Sequence, residues 1–372
     1  MVIVIDALDE CDDKESMSEF VQMLFELQEM HRLPFRVIVV SRVEEHIRKK
    51  IDNPAAHVVA LQGFNAHFDI RTFFRQSFTT LYRENSLVMR SVPFPSDEDF
   101  AALTHKCGGL FVFAVTLMRF IEDPIDLPHR RIKIALAVQT GLDPLYNRIV
   151  SAAPQTNQFK LVLGTIVLLR HPIPITSLAH LIQLEIADVV QSLLGLQSIL
   201  MIPGRDDLPV LLFHTSLRDF LLDKGRSGTL FIPPSHHLRI ATHCITVMLM
   251  GPGDGIFYSV EQNYASQNWL HHCLNFLHLV GGDGASNLLS SSSVRNCLTD
   301  FSSHHLDYWV NTMILNRELQ EMLELVQLML STLEVSLAVF VRNMLDKLSA
   351  SNYQIPLCIW YRFYKRFKRG SR

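Results

Sequence analysis

Nowhere in this chain does a glycine directly precede a lysine, so its 372 residues contain no phosphate loop of the form G-x-x-x-x-G-K-[ST]. The six cysteines, Cys11, Cys107, Cys244, Cys273, Cys297 and Cys358, include no C-x-x-C pair, which leaves neither a zinc ribbon nor a disulfide framework indicated. That usage fits a reducing compartment, and a cytoplasmic location is expected. Long apolar runs are missing too. The most apolar stretches, 111–121 and 161–169, are too short or too interrupted for the roughly 20 residues that a bilayer span requires. Val2 to Ile5 lacks a basic leader and is closed by Asp6, so it does not read as a signal peptide. No G-x-S-x-G elbow supports a serine hydrolase. Charge of one sign is scarce as well: the formal net charge is −3, and basic residues cluster only in the tail, so no nucleic-acid partner is expected.

With 48% hydrophobic and 19% charged residues the chain is globular, and its length calls for two or three domains. Its opening decade, MVIVIDALDE, is the most informative stretch. Four β-preferring residues followed by Asp6 describe a buried strand that delivers an acid where open α/β sheets bind their ligands, and Asp9 and Glu10 add two charges beside it. Acids so placed suit holding Mg²⁺ and orienting a water at a phosphate. Phe20, Met23, Leu24, Leu27 and Met30 then recur at helical spacing, and Phe35 to Arg42 reads as a second strand. After a short basic helix, His57 to Leu61 reads as a third. Alternating strands and helices imply a parallel sheet over residues 1–64.

From about Asp69 the pattern is helical. Ile70, Phe73, Phe74 and Phe78 make one stripe, and a helical pattern over Asp97 to Ile121 is broken at Gly108 and Gly109. Residues 145–232 read as three helices and then a short hairpin around Gly204 to Leu208, with strands at Ile199 to Ile202 and Val210 to Phe213, which is a winged-helix order. A last helical block carries a long stripe from Leu319 to Leu333. The histidines His271, His272, His278, His304 and His305, with Cys273, match no zinc spacing, so no metal is expected there.

VIVIDALDEC at Val2 to Cys11 and RVIVVSR at Arg36 to Arg42 resemble the Walker B and sensor 1 elements of NACHT nucleotidases, the STAND class of signalling ATPases, and most resemble the fungal members. HKCGGLFVFA at His105 to Ala114 is similar to that family's Gly-Gly-Leu-Phe segment. LYNRIV at Leu145 to Val150, GTIVLLRHPIPITSLAHLI at Gly164 to Ile182 and LFHTSLRDFL at Leu212 to Leu221 resemble its winged helix. YASQNWLHHC at Tyr264 to Cys273 and the helix around Trp309 resemble the helical segment that follows in fungal chains.

The resemblance implies a partial parallel P-loop NTPase sheet in the α/β class followed by all-α domains. These are the second half of a nucleotide-binding core at 1–64, a helical subdomain at 65–140, a winged helix at 141–235, a helical arm at 236–350 and a basic aromatic tail at 351–372. It implies ATP or ADP with Mg²⁺ as cofactors. Asp6 would hold the metal through water, Asp9 with Glu10 would polarise the attacking water, Arg42 would sense the γ-phosphate, and His214 would reach the β-phosphate of ADP. Thr215 stands where the family usually follows that histidine with Asp.

Lacking the phosphate loop, the chain is expected to be a truncated signalling protein that acts as a regulatory or interaction component with nucleotide binding lost. Its partners would be proteins, through self-association or signalling contacts. The alternatives are an intact ATPase switch of which this is an incomplete sequence, and a helical scaffold that ignores nucleotide.

Overall fold

The computed structural model describes residues 1–8, 11, 14–30, 34–41, 56–59, 64–84, 94–250 and 259–280, with scattered positions between 296 and 325. They fall into two compact units, Met1–Ala66 and His67–Arg372.

In the first unit β1 (Val2–Ile5) pairs in parallel with β2 (Arg36–Val39), Val2 opposite Arg36 and Ile5 opposite Val39. Between them runs α1 (Lys14–Glu29). Its buried face differs from the expected stripe. Met17 and Val21 pack with Leu8, and Ile5 and Phe25 close around them, whereas Met23 and Met30 are 46% and 56% exposed. The face is set by what Leu8 and the end of β1 offer the helix, and periodicity alone leaves a neighbouring stripe equally plausible. The third expected strand is not seen among the described residues: 56–59 have no regular structure, and 60 and 61 lie outside them. The short basic helix before it also lies outside the described residues.

The second unit is helical. In α2 (His67–Glu84) Ile70, Phe74 and Phe78 of the expected stripe are buried together with Leu81, while Phe73 is half-buried with its ring tilted at 49° to that of Phe111, centroids 5.4 Å apart. Ser96 caps α3 (Asp97–Lys106) by accepting the Asp99 amide at 3.1 Å. The break before α4 (Phe111–Glu122) falls at Gly108 and Gly109, at φ +55° and +81°, two consecutive left-handed residues that only glycine adopts at no steric cost.

Pro128 starts α5 (Pro128–Ala137), where its missing N–H costs nothing. Arg131 in this helix reaches back to Asp123 at 3.2 Å and donates to the Phe120 carbonyl at 3.1 Å, so its buried charge is both paired and hydrogen-bonded. Lys106, at the end of α3, donates to the carbonyls of Leu136 and Val138 at the end of α5.

After α6 (Leu142–Ala152) comes α7 (Phe159–Leu168), buried on every side except at Lys160. Helices α8 (Ile175–Leu181) and α9 (Ile186–Leu193) follow. An antiparallel hairpin of β3 (Leu200–Met201) and β4 (Leu211–Leu212) comes next, shorter than the expected strands, and a bridge from Pro174 to Pro209 adds to it. Behind the hairpin lie α10 (Ser216–Leu222) and α11 (Lys224–Ser227), the latter held to α6 by a two-pronged Arg226–Asp143 pair at 2.8 and 2.7 Å. Finally α12 (Ser235–Leu249) packs along α13 (Val260–Val280). Gly164 of α7 lets the His236 ring of α12 approach so closely that a Cβ there would sit 2.6 Å from Cε1. The Leu319 to Leu333 stripe and the tail 351–372 lie outside the described residues, apart from single positions of the former.

Candidate functional site

Asp6 stands exposed just past the carboxyl end of β1, in the first unit. Its Oδ1 accepts the amide of Ala7 at 3.0 Å, and Ala7 itself is left-handed at φ +53°, a conformation that costs a residue with a Cβ roughly 1 kcal/mol. Leu8 then turns back toward the sheet. Its amide donates to Val40 at 3.1 Å and its side chain enters the small core with Met17 and Val21. The bend therefore puts the acid outside the sheet and the next large apolar residue inside. Asp6 carries the carboxylate that a water-rich Mg²⁺ shell needs from a protein, since this ion commonly takes one or two carboxylates and keeps its waters. In that role Asp6 would hold the ion, which supplies charge neutralisation to phosphate oxygens. Asp9, Glu10 and Arg42 lie outside the described residues. Among the described residues no group of three or more His, Cys, Asp or Glu side chains has the geometry of a metal site.

His214 belongs to the second unit, two residues past β4. Its backbone carbonyl accepts the Leu217 amide at 3.2 Å and its ring Nδ1 accepts the Ser216 amide at 3.0 Å, so this residue satisfies the first turn of α10. The Ser216 hydroxyl lies 2.7 Å from the same Nδ1 and 2.8 Å from the Tyr146 hydroxyl of α6. Burial raises the Tyr146 pKa, with its side-chain hydrogen bonds to Ser216 and Thr116 opposing, so the phenol keeps its proton. Next to His214, Phe213 carries the Arg119 guanidinium over its ring at 3.1 Å from the centroid. Desolvation lowers the Arg119 pKa, Glu122 opposing, and its Nη1 is buried without a hydrogen-bond partner. Sequence reasoning picked out His214 and missed Ser216, Tyr146 and Arg119. The i to i+2 spacing of His214 and Ser216 at a helix start was a usable signal for the first of these. The other two sit far away in sequence.

A second polar cluster joins α7, α12 and α13. Tyr264 accepts the Arg170 amide at 3.3 Å and lies 2.7 Å from His272 Nε2, while His272 Nδ1 lies 2.9 Å from His237 Nδ1. His236 lies 3.2 Å from the Thr165 hydroxyl. Desolvation lowers the pKa values of His236 and His237 to about 4, and also that of His272. These rings are therefore neutral core histidines.

No described helix is long and apolar enough to cross a membrane. No match to a curated protein was found. Residues 1–42 match the family described as Nephrocystin 3, N-terminal. Among solved structures the chain is similar to a crystal structure of a Signal Transduction ATPase with Numerous Domains (STAND) protein with a tetratricopeptide repeat sensor from Pyrococcus horikoshii. The likeness has 13% identity and a TM-score of 0.36, and covers 88% of this chain and 43% of that one. The chain thus spans less than half the length of the STAND protein it is similar to.

Proposed function

We propose that this chain is a regulatory or interaction component of a STAND-type signalling protein, with a site built on the plan of a nucleotide site and little nucleotide affinity of its own. The observation that carries this is the parallel pair β1 and β2 with Asp6 just past the carboxyl end of β1, the position at which open α/β sheets bind ligands. Asp9 and Glu10, next in sequence, are the candidate water-polarising acids and Arg42 the candidate γ-phosphate sensor, with ATP or ADP and Mg²⁺ as the ligand set. The amides and lysine of a phosphate loop, which neutralise the β- and γ-phosphates, are not among the 372 residues, and acids without them repel a nucleotide. Losing several charge-assisted contacts of about 1.5–3 kcal/mol each moves a micromolar ligand past the millimolar range.

The order of α7, α8, α9 and the β3–β4 hairpin supports a winged helix used for protein contacts. Helix α9 carries Asp188 and no lysine or arginine, and Arg205 in the hairpin is bound to Asp207, so neither element offers a phosphate backbone a free cation.

Calorimetry with Mg-ATP and Mg-ADP tests the proposal. The expected result is no binding in the micromolar range. Micromolar binding that disappears in Asp6→Ala would overturn it and make the chain a working nucleotide switch.

A further inference from the structure

Arg119, in the last turn of α4, has two candidate partners for its charge, one on another element and one on its own helix. Its guanidinium carbon lies 3.1 Å from the centroid of the Phe213 ring, just past β4. That contact leaves the group partly unsatisfied, because Nη1 is buried without a hydrogen-bond partner. A planar cation with five donors ordinarily takes a carboxylate, and Glu122 lies on the same helix at the i, i+3 spacing where side chains meet. No ion pair joins the two among the described residues. Glu122 nevertheless gains from a cation: burial and then the negative charge of Glu84, at the end of α2, raise its pKa, with Arg119 opposing. The guanidinium thus has an aromatic ring and an orphaned nitrogen in one position, and a carboxylate that needs neutralising in the other. Arg131 is the contrast. Paired with Asp123 and bonded to the Phe120 carbonyl, it has no second partner to turn to.

We propose that Arg119 is a two-position latch, seated on the Phe213 ring when α4 clasps the end of the hairpin and on Glu122 when it lets go. The two positions are close in free energy. Leaving the ring forfeits a cation–π contact, whereas reaching Glu122 gives the orphaned Nη1 an acceptor and offsets the repulsion between Glu122 and Glu84. Release does not undo the fold. Tyr146 of α6 bonds to Thr116, three residues before Arg119 on α4, and lies 2.8 Å from the hydroxyl of Ser216 at the start of α10, so a second link holds these helices together. The Phe213 amide also keeps the Ile199 carbonyl at 3.2 Å, which is independent of Arg119. What release changes is confined to the side chain of Phe213 and the chain end it anchors against α4. The latch therefore gives the segment after β4 two states while the helices around it stay packed.

¹H–¹⁵N correlation spectra of the arginine side chains of the full chain at pH 7, with the Arg119 Nε–H signal assigned by its loss in Arg119→Lys, read the two positions. A proton over the face of an aromatic ring is shifted upfield, so the wild-type signal should lie upfield of that of the exposed Arg130. Glu122→Gln removes the alternative partner and leaves no cavity. The ratio of clasped to released forms should then rise by about 1.5- to twofold, the worth of an i, i+3 ion pair, and the signal should move further upfield. Phe213→Leu should lower the same ratio by about two- to thirtyfold and carry the signal toward that of Arg130. A wild-type signal coincident with Arg130 would mean that Arg119 does not sit on Phe213. A signal that ignores Glu122→Gln would mean that it never leaves. Either result overturns the proposal, and Glu122→Gln decides even if Phe213→Leu fails to fold. No nucleotide enters the measurement, so the latch and the preceding reading stand or fall separately.

Discussion

His237 and His272 meet Nδ1 to Nδ1 at 2.9 Å, and a single proton serves both atoms. The contact exists only while one ring donates and the other accepts. A second proton on that axis would set N–H against N–H. Around the pair, Arg170, Arg239, His236, His243 and His271 add positive or titratable groups, Tyr264, Cys244 and Cys273 remain protonated, and Glu261 on α13 is bound to His180.

Acid should therefore weaken the α12–α13 region well before carboxylates titrate. His236 and His237 are pushed down to about 4 by desolvation, against about 6.5 when unfolded. Between those values the unfolded chain binds more protons, so stability is fully present above pH 6.5 and falls as pH drops toward 4. Each such ring costs about 2 kcal/mol by pH 5. Urea midpoints followed by tryptophan emission at pH 7 and pH 5 should differ accordingly, since Trp269, Trp309 and Trp360 are the three tryptophans. A flat profile between pH 7 and 5 would mean that the rings are not buried neutral.

Gly164→Ala should destabilise despite its better helix propensity. The new Cβ would lie 2.6 Å from a His236 ring that is itself held near Thr165, so either α7 or α12 has to move. Overpacking of this kind costs about 1–3 kcal/mol against a propensity gain of about 1. Thermal unfolding measures the net loss, and a raised Tm in Gly164→Ala would show that the two helices do not approach so closely.

Arg131→Leu should cost about 3–5 kcal/mol, because it leaves the buried Asp123 without its cation. Adding Asp123→Asn should recover much of that, since the neutral side chain still accepts the Ile125 amide. Denaturation of the single and double variants gives the coupling directly. Strictly additive losses would mean that the pair is only a surface contact.

Val4 in β1 is 63% exposed, and Val2 and Ile38 are exposed on the same short sheet. Apolar strand surface of this sort invites pairing with another chain. Val4→Thr should reduce concentration-dependent association in sedimentation runs while changing stability by less than about 0.5 kcal/mol. A wild-type chain that is monomeric at every concentration would remove the reason for the substitution.

What the sequence disclosed depended on whether a property was local. Gly108 and Gly109 announced a helix break because two left-handed residues are a local demand, and the stripe of α2 and the hairpin after α9 were visible for similar reasons. The buried face of α1 was not, because Met17 and Val21 are chosen by Leu8, a contact that no periodicity encodes. Among histidines, the sequence displays adjacent pairs such as His271 and His272, whereas the contact that forms joins His272 to His237, 35 residues away. Tyr146 likewise reaches Ser216 across 70 residues. Asp6 was legible as an acid at a strand end. The left-handed Ala7 that bends the chain beside it was not, because alanine carries no preference for that conformation.

The Lys106 ammonium, which ties the end of α3 to the end of α5, also makes the peptide bond after it a clock. A protease specific for basic residues must draw that side chain into its own pocket, so it has to wait until both carbonyls have let go. Arg130 has an exposed side chain but lies inside α5, so a cut there waits only on the opening of that helix. The lag between cuts at the two sites then compares parting of the α3 and α5 ends with opening of α5 itself.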